Sequence, residues 1–427
     1  MSIQEFYSEK LKDKYYLLKH KSGLDIYICP KQDYNSSFAV FGTKYGSINR
    51  TFSIDNGEKI TVPDGIAHYL EHKLFESEDI DAFKRFAETG ANANAFTSFD
   101  KTCYLFSCSE NLEQNLEILL DFVQSPFFTE ETVQKEQGII GQEIQMYDDE
   151  PSWRAMFNLF SGMYHNHPIK IDIAGTIESI SHITADMLYK CYNTFYNLNN
   201  MALCVAGNVD VAMVERVADK VLKISNNHKI TNYFDDEPET IVKDYIEQKF
   251  PIAVPVFNLG YKETPKKYTE KELIAIDILL AMIASSTSEL YEQLMRENLI
   301  NSSFSYEFSD GEGYACVIFS GESRFPQQVA DKIRKYISDL HSKGLSVSDF
   351  ETTRRAVYGD VISSFNSTTN IATNMIDFVF SGNDYYKYVD CISEVTFEDV
   401  CKCFKDLLHT DKSVLSVALP DEEHEER

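Results

Sequence analysis

Two imidazoles one helical turn apart, with a carboxylate between them, can hold a divalent cation and place a base beside it. Residues 68 to 72 of this 427-residue chain carry that pattern, inside the run PDGIAHYLEHKLFE. Pro63 and Asp64 predict a helix start, with Asp64 as its N-cap. At about 100° per residue, His68, Glu71 and His72 fall within one arc of about 100°, while Ile66, Leu70 and Leu74 occupy the opposite side. One face packs and the other offers ligands. His68 and His72 are therefore metal ligands by expectation, with Glu71 as the general base of a hydrolase.

A third ligand is expected to be a carboxylate on another element, because two histidines, a glutamate and a water form a common catalytic zinc set. The run TEETVQKEQGIIGQEIQMYDDE supplies one. Thr129 caps this helix, and Glu130 and Glu131 suit its positive end. Glu136 and Glu143 are seven residues apart and share a stripe with Ile139 and Ile140. An acid on an apolar stripe is costly unless paired or bound to metal, which selects Glu143. Asp148, Asp149 and Glu150 cluster where the helix ends before Pro151 and read as solvated turn acids. His165 and His167, in MYHNHPIK, read as turn residues before Pro168.

The elements that must position these groups alternate between strand-like and helical runs. SSFAVFGTKYGS and TCYLFSC read as strands, and NLEQNLEILLDFVQ as a helix. The polar run SNNHKITNYFDDEPET lacks periodicity, and the order resumes after it with strand-like IAVPVFNLGYK, a long helical stretch from Glu270 to Arg296, strand-like YACVIFSG and helical QQVADKIRKYISDL. The expected organisation is a catalytic domain at 1–225, a linker at 226–245 and a second, metal-free domain at 246–427. FFTEETVQKEQGIIGQEI and LSVSDFETTRRAVYGDVI begin with similar capping signals, which suggests a diverged repeat. The second half lacks a counterpart of the histidine pair, so metal chemistry belongs to the first.

Composition narrows the function class. With 40 basic and 67 acidic residues the net charge is −27, which argues against a nucleic-acid binder and fits a cationic or neutral partner. No run of roughly eighteen apolar residues occurs and the N-terminal stretch is charged throughout, so a cytoplasmic protein without membrane attachment is expected. Nine cysteines without CxxC pairing suit a reducing compartment, and Cys401 and Cys403 have no neighbours that complete a metal set.

GIAHYLEHKLFE, GANANAFTSFDKTCYLFS, KEQGIIGQEIQMYDDEP, IAGTIESISHIT and FYNLNNMALCVAGNVD together resemble the insulinase-like M16 zinc metallopeptidases, in particular their short bacterial processing-protease type. The resemblance implies an α+β fold of two homologous αβ domains, each a mostly antiparallel sheet covered by helices, enclosing a chamber that admits unfolded peptides. It implies one Zn²⁺ per chain on His68, His72 and Glu143, Glu71 as base, and Glu136 as a supporting acid. Asn94 and Ala95 would lie on the edge strand that receives a peptide substrate. Family members that complete the site alone carry Arg and, seven residues on, Tyr; here Arg296 is followed at that spacing by Ser303, with Tyr306 three further along. That departure resembles the zinc-bearing half of a pair, whose partner is a homologous M16 subunit or a second copy. The competing expectation is a non-catalytic structural or peptide-binding subunit of the same fold.

Overall fold

A computed structural model of the chain describes residues 2–78, 81–224 and 227–421. The acidic tail DEEHEER lies outside the described residues from position 422 onward. The first half carries strands β1 (Ser2–Ser8), β2 (Asp13–Lys19), β3 (Asp25–Pro30), β4 (Ser37–Thr43), β5 (Thr51–Ile54) and β6 (Ile60–Thr61), then helices α1 (Ile66–Leu74) and α2 (Ala82–Thr89). The hairpin β7 (Asn92–Thr97) and β8 (Thr102–Cys108) follows. After it come α3 (Leu112–Val123), α4 (Glu130–Asp148), α5 (Pro151–Met163), α6 (Ile177–Ser181), α7 (Ala185–Phe195), β9 (Met201–Gly207) and α8 (Val211–Val221). The second half has β10 (Ile230–Asn232), β11 (Tyr245–Phe250), β12 (Val256–Lys262), α9 (Glu270–Ala284), α10 (Glu289–Arg296), β13 (Ser305–Gly311) and β14 (Tyr314–Glu322). It ends with α11 (Pro326–Lys343), α12 (Val347–Ser364), α13 (Thr368–Ser381), α14 (Tyr385–Cys391), α15 (Phe397–Asp406) and β15 (Ser413–Pro420).

Two sheets share one topology. The larger has the order β1-β2-β3-β9-β4-β8-β7 and the smaller β11-β15-β12-β14-β13. In both, one parallel pair (β3 with β9, β11 with β15) adjoins an antiparallel series ending in a hairpin whose first strand is the edge. This is the two-domain α+β architecture that the family resemblance implies. The central strands β4 and β9 are buried along their whole length, as their near-continuous apolar runs require.

The chain divides into two compact units, Met1–Ile144 with Asp172–Tyr233 and Val361–Asp390, and Gln145–Ile171 with Phe234–Asp360 and Cys391–Arg427. Each unit takes a helical segment from the other half of the sequence. In the first, α13 packs on β9, β4 and β3, burying Ala372 and the larger Ile371, Met375 and Ile376, each of these three contributing about 1.5–3 kcal/mol. In the second, α5 packs on β15, β12 and β11. Glycines make room for both: a Cβ on Gly42 of β4 would lie 3.0 Å from the Phe380 ring, and one on Gly260 of β12 would lie 1.9 Å from Met163 Cε. The expected linker segment carries β10, whose Ile230 pairs with Ile54 of β5.

The helical stretch expected from Glu270 to Arg296 is two helices. Ser285 leaves helical geometry (ψ 162°) and Ser288 starts α10 by accepting a hydrogen bond from Tyr291 N (3.2 Å). The stretch is apolar enough by composition to cross a membrane, but most of it is buried within the protein, where α9 serves as a core helix. No disulfide joins the nine cysteines, all of which lie among the described residues.

Candidate functional site

The start of α1 differs from the expected Asp64 cap. Gly65 is the N-cap, in the left-handed region (φ 87°), and makes no side-chain cap. Asp64 instead pairs with Arg50 (3.2 Å), and its carbonyl accepts from Ser179 Oγ (2.8 Å). A Cβ at position 65 would sit 2.3 Å from the Ala174 carbonyl oxygen, so glycine is required both by space and by backbone conformation. Ile66, Leu70 and Leu74 are buried as their spacing predicts.

α4 begins as expected, with Thr129 Oγ1 accepting from Thr132 N (3.2 Å). Its buried stripe is Val133, Glu136, Ile140 and Ile144, with Glu143 half-buried beside it. Ile139, expected on that stripe, is 48% exposed, because it is one residue and about 100° away from Ile140. Two hydrogen bonds clamp α1 to the first turn of α4: Tyr69 Oη donates to Val133 O, and Lys73 Nζ donates to Thr132 O (3.3 Å) while pairing with Glu76. Both side chains are fully buried.

The clamp brings the two helices' functional groups together. His68 Nε2 lies 3.7 Å from Glu143 Oε1, and His72 Nε2 lies 3.3 Å from Glu143 Oε2. The three ligand atoms all fall within 4.8 Å of one another. Ligands at roughly 2.0–2.1 Å around a tetrahedral zinc would be about 3.3–3.4 Å apart, so the separations fit a shared cation better than a tight ion pair. His72 Nδ1, on the other side of its ring, meets Glu136 Oε1 at 3.1 Å, the carboxylate–imidazole arrangement that orients a metal-ligating histidine. His68 Nδ1 is buried without a hydrogen-bond partner, which leaves Nε2 as the nitrogen engaged at the site. The residues fit the metal.

Electrostatics follow the burial. Glu71 is 8% exposed, and desolvation pushes its carboxyl above the usual range, opposed by the nearby His68, the Thr97 hydroxyl and His72. Burial disfavours the charged form of His72, but the hydrogen bonds its ring donates to Glu136 and Glu143 overcome it and raise the ring to about 10 unless a metal is bound. Thr97 Oγ1 donates to Glu71 Oε2 at 2.6 Å. The relevant signal for Thr97 lay in NANAFTS, but a contact across helix and sheet has no local spacing to reveal it; the same holds for Tyr69 and Lys73.

Asn94 and Ala95 lie on β7, opposite Leu105 and Tyr104 of β8, and β7 is the edge of its sheet. Asn94 is exposed, and its Oδ1 accepts from Ala95 N (2.9 Å). Arg296 is the last residue of α10 in the second unit. Ser303 precedes β13, donating to Asn301 Oδ1 (2.5 Å), and Tyr306 lies within β13. Asp148 pairs with Arg154 (3.5 Å) and Glu150 caps α5 through Ser152 N (3.3 Å). His167 is buried, with Nε2 on Glu312 O (2.9 Å), and burial lowers it to about 4.

Comparison with known proteins connects this geometry to a family. The model described as Insulinase (Peptidase family M16) matches residues 54–177, which contain α1, β7 and α4, and the model described as Peptidase M16 inactive domain matches 182–357. The chain is 39% identical over 420 residues to an uncharacterized zinc protease, YmfH, of Bacillus subtilis, covering 96% of this chain and 98% of that one. It is 25% identical over 389 residues to the zinc protease PqqE of Helicobacter pylori, covering 85% and 84% respectively. The crystal structure of an M16-like peptidase from Alicyclobacillus acidocaldarius superposes with a TM-score of 0.92 at 31% identity, covering 99% of both chains. With a relative this similar along nearly its whole length, the chain belongs to the insulinase-like peptidase family M16.

Proposed function

We propose that the chain is a zinc-dependent endopeptidase that cleaves unfolded peptides, including leader or precursor segments, with one Zn²⁺ held by His68, His72 and Glu143. The observation that carries this reading is the convergence of those three ligand atoms beside the buried Glu71 carboxyl. Zinc so held would supply Lewis acidity, lowering the pKa of water and polarising the scissile carbonyl. Glu71 takes the proton of the attacking water and later passes it to the leaving amine. Its raised affinity for a proton suits both halves of that task. Glu136 holds His72 in the tautomer that presents Nε2 to the metal. An extended peptide adds to the edge strand β7 at Asn94 and Ala95 through main-chain hydrogen bonds, a mode that tolerates many sequences.

The finer parts of the proposal are enclosure of the substrate in a chamber and operation as the zinc-bearing subunit beside a homologous M16 chain. The spacing of Arg296, Ser303 and Tyr306 supports the pairing. The test is to incubate the zinc-loaded chain with a library of unstructured peptides, alone and with a homologue, using Glu71→Gln as control. Chelator-sensitive cleavage lost in Glu71→Gln is expected. Cleavage only with the homologue would establish a split site, whereas a zinc-loaded chain inactive in both settings would favour a structural or peptide-binding subunit.

A further inference from the structure

The arrangement of hydroxyl protons at the end of β7 bears on how the base is aimed. Thr97 is the last residue of this edge strand and pairs with Thr102 of β8. Thr102 Oγ1 donates to Tyr45 O at 2.8 Å, and a threonine hydroxyl has a single proton to give. Thr97 Oγ1 is 2.6 Å from Glu71 Oε2 and 3.3 Å from Thr102 Oγ1. Its one proton therefore goes to the carboxylate, the shorter contact and the charged acceptor. Among the described residues Glu71 Oε1 has no hydrogen-bond partner, so the two carboxylate oxygens are unequal.

We infer that Thr97 is a positioning residue for the reaction proposed above, fixing the Glu71 carboxyl plane from β7 so that Oε1 is the oxygen that exchanges protons with water and the leaving amine. Two anchors define the carboxyl: its own helix, and the hydroxyl of a strand packed against that helix. The residue that aims the base thus belongs to the same strand to which an extended peptide would add. Without the hydroxyl the carboxyl can turn about its terminal bond, and either oxygen can face the wrong way. Misplacement of a reacting group by about 1 Å costs on the order of 100-fold in rate, which sets the scale of the effect.

The inference rests on the peptidase reading, and its test separates the two. Thr97→Val replaces the hydroxyl by a methyl of similar size, and Thr97→Ser restores the donor. In the zinc-loaded chain, Thr97→Val is expected to lower kcat about 10- to 100-fold with KM within about twofold. Zinc content and Tm should match wild type, and Thr97→Ser should recover most of the rate. An unchanged kcat in Thr97→Val, a rate loss that tracks lost zinc or lowered Tm, or a failed serine rescue would each overturn the positioning role. A high-resolution structure of Thr97→Val provides a readout independent of turnover: the Glu71 carboxyl should rotate, and one that keeps its wild-type plane overturns the inference. Wild-type inactivity on every peptide, both alone and with the homologue, would instead sink the peptidase reading, leaving the structural readout to decide Thr97.

Discussion

His72 Nδ1 lies 3.1 Å from Glu136 Oε1, while the same ring presents Nε2 to Glu143 at 3.3 Å. One imidazole is thereby held between two carboxylates seven residues apart on α4. Substituting such an outer partner typically costs 10- to 100-fold in metal affinity. Glu136→Gln is expected to weaken zinc binding by about tenfold or more while leaving the fold intact, measured by competition with a chelator of known affinity. Unchanged affinity would mean that Glu136 does not support the ligand.

Proton competition gives a second expectation. In the metal-free chain His72 is raised from 6.5 to about 10: burial alone would lower it, and the hydrogen bonds it donates to Glu136 and Glu143 prevail. Because the folded-state pKa is raised, the stabilisation from the protonated ring is complete below about 6.5 and disappears as the pH rises through about 10. A histidine must be neutral to ligate a metal, so zinc bound at His72 as proposed would displace that proton. Apparent zinc affinity should rise about tenfold between pH 6.5 and 7.5, with roughly one proton released, read by calorimetry in buffers of differing ionisation enthalpy. Affinity that is flat across this window would contradict the assignment of His72 as a charged ring in the metal-free site.

The fold and site differ in how far local sequence reveals them. The arc of His68, Glu71 and His72 was legible because helical periodicity alone sets it, whereas the argument from an acid on an apolar stripe selected Glu143, which lies half-buried beside a stripe whose buried acid is Glu136. Ile139 shows the limit of the stripe argument, since one residue's rotation carries it into solvent. Asp64 had the right chemistry for a cap, but the close approach of the Ala174 carbonyl, more than a hundred residues away, made Gly65 the cap instead. The exchange of α5 and α13 was not legible either, because an amphipathic pattern states that a helix packs without stating on which sheet. Thr97, Tyr69 and Lys73 share that difficulty: each acts across elements.

Gly65 at the head of α1 yields a third expectation. Its φ of 87° is strained for any side chain, and a Cβ would lie 2.3 Å from Ala174 O. Gly65→Ala must move either α1 or the 174–175 turn, at a cost of about 1–3 kcal/mol. A lower denaturation midpoint together with weakened zinc binding is expected, because α1 carries both histidines. A Gly65→Ala chain that matched wild type in both measurements would show that the backbone here can relax freely.

Lys262 and Glu237 provide a control within the second unit. Lys262 Nζ is 2.6 Å from Glu237 Oε1 and also donates to the carbonyls of Met163 (2.9 Å), Pro238 (2.6 Å) and Thr240 (3.0 Å). Glu237 in turn accepts from the backbone N–H groups of His165, Asn166 and His167 (2.9, 2.7 and 2.8 Å). Burial raises the Glu237 carboxyl, but Lys262 and these three donors outweigh it and hold it at about 2. A depressed carboxylate stabilises the fold above its unfolded value near 4.5, and that contribution is lost as the pH falls through about 2. Lys262→Met removes the countercharge and leaves a mostly buried carboxylate, which should cost about 3–5 kcal/mol at neutral pH by chemical denaturation. His68, His72 and Glu143, the proposed ligands, all lie in the other unit, so folded Lys262→Met chains should keep wild-type metal stoichiometry and affinity. A loss of zinc binding in the folded variant would show that the second unit contributes to the metal site's integrity.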